Sequence, residues 1–352
     1  MKINVKTILR RSATIIGAIL LTLALAIFAT IAYLYCRFGN VRAVTPPASQ
    51  HLAADRTDFT VAFFGDFAMQ RDIFAPVLKQ INKDRPDFAI SVGDMFRTPR
   101  GGEGAYLIEM LRENLKIPFC AIPGNHDYAR NGDLSAYMSA FGVRYYYFSY
   151  GDTLFVMLDD NIRSAPTPEI LQSLPPEYWT MKRREVVGMD DAQIAWLDGI
   201  LTKFGKDFRR CVLVMHQPPV TPEVLKEYTP EVIVGRQLEP IVARHKIDAI
   251  VSGHLHLSGK SDFKGIPVYH VPSCGQTMRD KVNRNFGYLS LHFAASGAIE
   301  PTPHYLPKLE RGRNYFLNEL VVEIPGNFRY YYFAWGFLVV GLGLLATARK
   351  LK

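Results

Sequence analysis

Cysteine is scarce in this chain: Cys36, Cys120, Cys211 and Cys274 are the only four in 352 residues, and no two form a CxxC pair. So small and scattered a set fixes no redox compartment. Cys120 and Cys211 lie within apolar runs and read as buried core thiols. Internal repeats and low-complexity tracts are missing, and so is any aromatic–basic platform or nucleic-acid module. That last absence matters because 41 Lys+Arg against 33 Asp+Glu leave a net charge of +8. Several of the basic residues flank two apolar ends and read as membrane-topology charge, so no nucleic-acid partner is expected. With 48% apolar and 21% charged residues, the composition is globular and leans slightly toward membrane protein.

Charge is also absent from the run between Ala13 and Tyr35. The run exceeds 20 residues, enough to cross a hydrocarbon core of about 30 Å. A cleaved signal peptide is the rival reading, but its apolar core is usually about 7–15 residues. A second apolar stretch runs from about Tyr330 to Ala348, with Tyr330, Tyr331, Tyr332 and Trp335 as an interfacial belt. Its rival is a buried C-terminal helix. Lys2, Lys6, Arg10 and Arg11 precede the first run and Arg37 and Arg42 follow it, while Arg349, Lys350 and Lys352 follow the second. Both termini are therefore expected on the cytoplasmic side of a bilayer and the intervening chain on the other. The expected organisation is an N-terminus and anchor over 1–36, a linker over 37–57, a folded domain over 58–327 and a C-terminal span with basic tail over 328–352.

Within that domain, short β-type runs alternate with helical patterns. The runs are FTVAFF (59–64), FAISV (88–92), FCAI (119–122), LFVML (154–158), CVLVM (211–215) and AIVS (249–252). Helical periodicity appears over 73–83, 106–115 and 192–204. The alternation predicts an α/β fold with largely buried strands. From about Ile162 to Met189 the rhythm breaks into a Pro- and Arg-rich insertion, either a lid, a membrane-resting surface or an inert loop.

Five polar motifs directly follow predicted strands: Gly65-Asp66, Gly93-Asp94, Gly124-Asn125-His126-Asp127, His216, and Gly253-His254-Leu255-His256. The carboxyl ends of strands are where open α/β sheets bind ligands. Taken singly, an aspartate here is an ordinary loop or cap residue, and His216 a structural histidine. Together they suit a dinuclear metal centre, which needs a bridging carboxylate and several neutral nitrogen or oxygen donors. Asp94 is the natural bridge, Asp66 a terminal oxygen ligand, Asn125 a carbonyl donor, and His216, His254 and His256 the imidazoles.

The ordered set GD, GD, GNHD, H and GHxH resembles the calcineurin-like metallophosphoesterase superfamily over roughly residues 59–275. The string at 145–159 and the helix at 196–201 resemble its purple-acid-phosphatase-like branch. The resemblance implies a four-layer α/β/β/α sandwich, here flanked by an N-terminal and a C-terminal transmembrane helix. It also implies two divalent ions, Mn²⁺, Fe²⁺ or Zn²⁺. Asp66 and His256 would hold the first, Asn125, His216 and His254 the second, with Asp94 bridging. His126 would serve the leaving-group oxygen, oriented by Asp127, while an activated hydroxide attacks phosphorus.

The pattern departs from the family at two positions. Where many members carry Asp-x-His, this chain has Ala68; where purple acid phosphatases place a tyrosine, it has Arg97. Water would then fill the first metal's shell, or Asp160, Tyr128 or His270 would. Arg97 is expected either to contact the substrate phosphate or to form a surface ion pair. The reading is therefore a membrane-held hydrolase of phosphate mono- or diesters, its substrate a phosphorylated lipid or another envelope component. A non-catalytic membrane scaffold retaining the fold is the alternative, motivated by Ala68.

Overall fold

A computed structural model describes residues 5–38, 51–52, 55–68, 70–96, 103–129, 131–164, 186–220, 234–276, 278, 285–306 and 328–350. Among them the contacts separate the two terminal helices from the mixed α/β body.

The body holds two sheets. In the five-stranded sheet, β2 (Phe59–Phe64), β3 (Phe88–Ser91) and β4 (Phe119–Ala121) run parallel. On the other side of β2 come β13 (Phe286–Phe293) and then β14 (Ile299–Leu306), each antiparallel to its neighbour. The seven-stranded sheet has the order β1 (His51–Leu52), β5 (Tyr146–Tyr150), β6 (Thr153–Met157), β9 (Arg210–Met215), β10 (Ala249–Ser252), β12 (Ile266–His270), β11 (Gly259–Phe263). Its centre, β6 to β12, is parallel.

Period-two side-chain alternation explains why these strands read as unbroken apolar runs. Phe59, Val61 and Phe63 of β2 enter one apolar interior together with Val212 and Val214 of β9 and Phe155 and Met157 of β6, so the two sheets pack face to face. The intervening residues Cys211, Leu213 and Met215 enter a second cluster. There they meet Leu197 and Leu201 of α5 (Asp191–Phe204) and Leu238 and Ile241 of α6 (Val234–Val242). Both faces of β9 are thus buried, and each large apolar side chain contributes about 1.5–3 kcal/mol. Cys120 and Cys211 are buried free thiols as expected, and burial pushes each up to about 12.

Asp190 caps α5, its carboxylate accepting from Gln193 N at 2.8 Å. The same carboxylate pairs with Arg144, which also reaches Asp159 at 3.1 Å. That network ties the start of α5 to the loop after β6.

The terminal helices α1 (Val5–Phe38) and α7 (Phe328–Lys350) contain segments of 26 and 19 residues that are long and apolar enough to cross a membrane. They pack on each other along a stripe of small side chains. The buried positions described in the pair are Gly17 and Ala24 on one helix and Ala334, Gly341 and Ala348 on the other, all seven residues apart. A seven-residue spacing suits a left-handed helix pair. A Cβ added at Gly17 would lie 2.9 Å from Gly341 O, so glycine sets the approach. Ile8, Leu9, Ile15, Ile16, Ile19, Leu23 and Leu25 remain exposed. Thr14, Thr22, Thr30 and Thr347 each return the hydroxyl to the carbonyl four residues back, at 2.8–2.9 Å.

Candidate metal centre

All five polar motifs fall on loops at the carboxyl ends of strands, as their spacing predicted. β2, β3 and β4 of one sheet deliver Asp66, Asp94 and the Asn125–Asp127 loop; β9 and β10 of the other deliver His216 and the His254–His256 turn. Seven non-glycine residues among those described have positive φ, and five belong to these loops: Asp66 (54°), Ala68 (43°), Asp94 (53°), His254 (65°) and His256 (53°). Such backbone costs about 1–3 kcal/mol per residue. Its concentration here marks side-chain placement that the surrounding contacts enforce.

Glycines allow the loops to touch. A Cβ at Gly93 would sit 2.5 Å from Gly124 N, and one at Gly124 would lie 2.8 Å from His216 Cε1. Asp127 then clamps the contact: Oδ1 accepts from Met95 N and Phe96 N at 2.8 Å, and Oδ2 from Gly124 N at 2.7 Å. Asp127 is fully buried; burial, then the neighbouring Asp94 charge, pushes it up to about 7 against those backbone donors. Asp160 buttresses the β9 loop in the same way, accepting from His216 N at 3.2 Å and Gln217 N at 2.7 Å.

Ligand-type atoms of Asp66, Asp94 and His216 converge within 4.8 Å of one another, all buried. His216 Nδ1 meets Val92 O at 2.8 Å, fixing the ring, and its Nε2 lies 3.3 Å from Asp94 Oδ1 and 3.1 Å from Asn125 Oδ1. His254 Nδ1 reaches the same Asn125 oxygen at 2.9 Å. His256 turns the other way, with Nε2 3.3 Å from Asp66 Oδ1. The two histidine rings of GHLH thus meet different partners, Asn125 and Asp66. His126 donates its main-chain N–H to Asp94 Oδ1 at 2.7 Å. Its ring, 44% exposed, stands at the rim, 4.0 Å from Asp94 Oδ2.

The electrostatics match a cation site. Burial pulls His216 down, but the carboxylates of Asp94, Asp66 and Asp160 and the bond to Val92 O raise it to about 9. Burial pushes Asp66 up, yet hydrogen bonding to His256 and the charges of His256, His216 and His254 hold it below its ordinary value. Asp66 Oδ2 is nevertheless buried without a hydrogen-bond partner. An unpaired buried carboxylate oxygen costs several kcal/mol, and a metal ion is a partner that would remove that cost. A donor set of two carboxylates, one carboxamide and three imidazoles fits divalent ions.

Arg97 lies outside the described residues, and so does most of the 162–189 insertion. Only its ends are described, as an antiparallel pair of β7 (Ile162–Ser164) and β8 (Val186–Gly188). The three side chains considered for the first metal's shell have hydrogen bonds that run elsewhere. Asp160 serves the β9 loop, Tyr128 OH bonds Asp159, and the His270 ring sits between Ser252 Oγ at 3.0 Å and Ser261 Oγ at 2.7 Å.

Sequence reasoning missed Gln276, whose Nε2 lies 3.1 Å from Asp94 Oδ2. Gln276 lies six residues past the end of β12, outside the strand-then-motif pattern that marked the other five.

Comparison with known proteins identifies what the chain resembles. The family model described as calcineurin-like phosphoesterase matches residues 59–258. A protein of Arcobacter nitrofigilis named "Probable glycerophosphodiester phosphodiesterase GpdQ" is 26% identical over 179 residues, covering 49% of this chain and 58% of that protein. Among solved structures, GAP50, the anchor in the inner membrane complex of Plasmodium, matches with 15% identity and a TM-score of 0.49 over 72% of this chain and 87% of its own. Purple acid phosphatase PPD1 from yellow lupin (Lupinus luteus) matches with 14% identity and a TM-score of 0.48, over 70% and 53%.

Proposed function

The chain belongs to the calcineurin-like phosphoesterase family, and we propose that it is a phosphoester hydrolase working with two divalent metal ions, its cluster of buried donors the active site of a membrane-held enzyme. In this reading the body, over about residues 58–327, is the family's four-layer α/β/β/α sandwich. Asp66 and His256 hold one ion, Asn125, His216 and His254 the other, and Asp94 bridges them. The observation that carries the assignment is the convergence of Asp66, Asp94 and His216 on one buried point where Asp66 Oδ2 has no partner.

When bound, two such ions polarise the phosphoryl group and activate water. The chain's own residues supply the rest. Asp127 holds the Asp94 and Asn125 loops in register through three main-chain N–H groups. His126, at the exposed rim beside Asp94, is placed to give a proton to the leaving-group oxygen. Arg97 is assigned to the substrate phosphate on its residue type and position after Asp94.

The terminal helices cross the bilayer in this proposal, the segment 37–57 linking the first to the body. Support comes from their exposed apolar faces and from threonine hydroxyls satisfied within the helix, as an apolar medium demands. The flanking basic residues put both termini on the cytoplasmic side and the body on the other. A phosphorylated lipid or another envelope phosphoester is the substrate class that fits a site tethered this way. The name of the Arcobacter relative favours a diester.

The test uses the full chain in detergent with Mn²⁺, assayed on bis(p-nitrophenyl) phosphate and p-nitrophenyl phosphate. Turnover is expected, and Asn125→Ala and His126→Ala should each lose about 100-fold or more. Full activity in either variant would remove that residue from the mechanism. An Mn²⁺-loaded wild type that turns over neither ester would refute the substrate class.

A further inference from the structure

The proposed ligands divide unequally between the two ions. The second is offered Asp94, Asn125, His216 and His254, whereas the first is offered only Asp66, Asp94 and His256. The position two residues after Asp66 cannot help, since Ala68 has no donor side chain. We infer that Gln276 completes the first metal's shell with its carboxamide oxygen. The inference rests on the two-metal reading above.

The two oxygens of Asp94 face different neighbours. Oδ1 lies 3.3 Å from His216 Nε2 and thus belongs to the second ion's side. Oδ2 faces the other way, and there the Gln276 side-chain amide lies 3.1 Å from it. The main chain of Gln276 is strapped to the Asp66 loop: its N–H donates to Asp66 O at 2.7 Å, and Cys274 N donates to Gly65 O at 3.0 Å. Ser273 Oγ sits 2.7 Å from the carbonyl oxygens of both Asp66 and Gln276. Gly275 has no room for a side chain, because a Cβ there would overlap the backbone of Phe67. Gln276 is therefore fixed to the main chain of Asp66 by its backbone and to the Asp94 carboxylate by its side chain.

Facing a bare carboxylate, the carboxamide must present nitrogen. With a cation between Asp66 and Asp94, the reversed amide presents oxygen, a donor suited to Mn²⁺ and similar ions. Position 276 thus takes the role that position 68 leaves open.

The experiment is Mn²⁺ titration of the full-length protein, stripped with EDTA in detergent, reading ion number by equilibrium dialysis and ion pairing by electron paramagnetic resonance. Wild type is expected to bind two ions with a coupled spectrum. Gln276→Ala should keep one at unchanged affinity and bind the other at least about 10-fold more weakly. Gln276→Glu, which retains an oxygen donor but no N–H, should hold both at wild-type affinity or tighter. Two ions at wild-type affinity in Gln276→Ala would overturn the inference alone. So would a Gln276→Glu as weakened as the alanine variant, the result expected of a simple hydrogen-bond donor to Asp94. A wild type that binds no Mn²⁺ would overturn the two-metal reading and this inference together.

Discussion

Replacing Gly124 with alanine adds one methyl group at the tightest point of the site. Gly124 does not occupy the left-handed region, so alanine fits its backbone and the cost is purely steric. The new Cβ would lie 2.8 Å from His216 Cε1, and closer still to Asp94 N and Asp94 Oδ1. Carbon–carbon contacts settle near 3.5 Å or more, so the His216 ring must retreat by roughly 0.7 Å and Asp94 by more. Neither can move freely. His216 is pinned by Val92 O at 2.8 Å, and the Asp94 loop by Asp127. Overpacking of this kind costs about 1–3 kcal/mol of stability. The larger effect falls on function, since misplacing ligands by about 1 Å costs on the order of 100-fold in rate. Thermal unfolding in EDTA, Mn²⁺ titration and turnover of bis(p-nitrophenyl) phosphate measure the three consequences. A Gly124→Ala protein with wild-type Mn²⁺ affinity and wild-type turnover would show that the packing of these loops does not set the site's geometry.

Gly199 makes the opposite case: it lies inside α5 with nothing within 4 Å of an added Cβ. Gly199→Ala should stabilise the protein by about 0.5–1 kcal/mol without touching activity, and a lowered melting temperature would contradict that. Asp127→Asn replaces an acceptor of three main-chain N–H groups by a side chain whose amide nitrogen must face one of them. A loss of about 1–3 kcal/mol in thermal unfolding is expected, and unchanged stability would argue that the clamp is dispensable. Burial lowers His270 to about 4 from its ordinary 6.5. The folded state therefore binds fewer protons than the unfolded chain between those values. Stability from this group is complete above pH 6.5 and falls as pH drops toward 4, by on the order of 3 kcal/mol. His270→Asn should flatten that part of the stability–pH curve relative to wild type, and parallel curves would disprove the assignment.

What could be read from the sequence followed from local chemistry. The run FTVAFF is β2 residue for residue, and Asp190 caps the helix whose periodicity began at 192. The metal motifs were legible because chain order carries them: glycine, then a polar residue, directly after a strand. β14 was not, since IEPTPHYL carries two prolines and an exposed face, a composition tolerated only where one edge is unpaired. β11, GKSDF, is a strand by virtue of pairing with β12 and has no apolar pattern of its own. Gln276 escaped for a related reason. Nothing local marks it, since Asp94 lies 182 residues away in sequence and only folding brings the two side chains together. The resemblance assigned Asp127 to His126; what no local pattern showed is that its carboxylate also accepts from main chain 31 and 32 residues away.

The donors come from both sheets: β2, β3 and β4 carry theirs on one, β9 and β10 on the other. With the proposed ligand set, each ion is therefore a clasp across the edge of the sandwich, gripping His256 or His216 and His254 from one sheet and aspartates from the other. Neither half alone presents enough donors, so affinity for metal and closure of the two sheets are one equilibrium viewed from two sides. An ion at 100 times its dissociation constant would hold the sandwich shut by about 2.7 kcal/mol. Metal supply would then set how long the folded domain survives, as well as how fast it turns over.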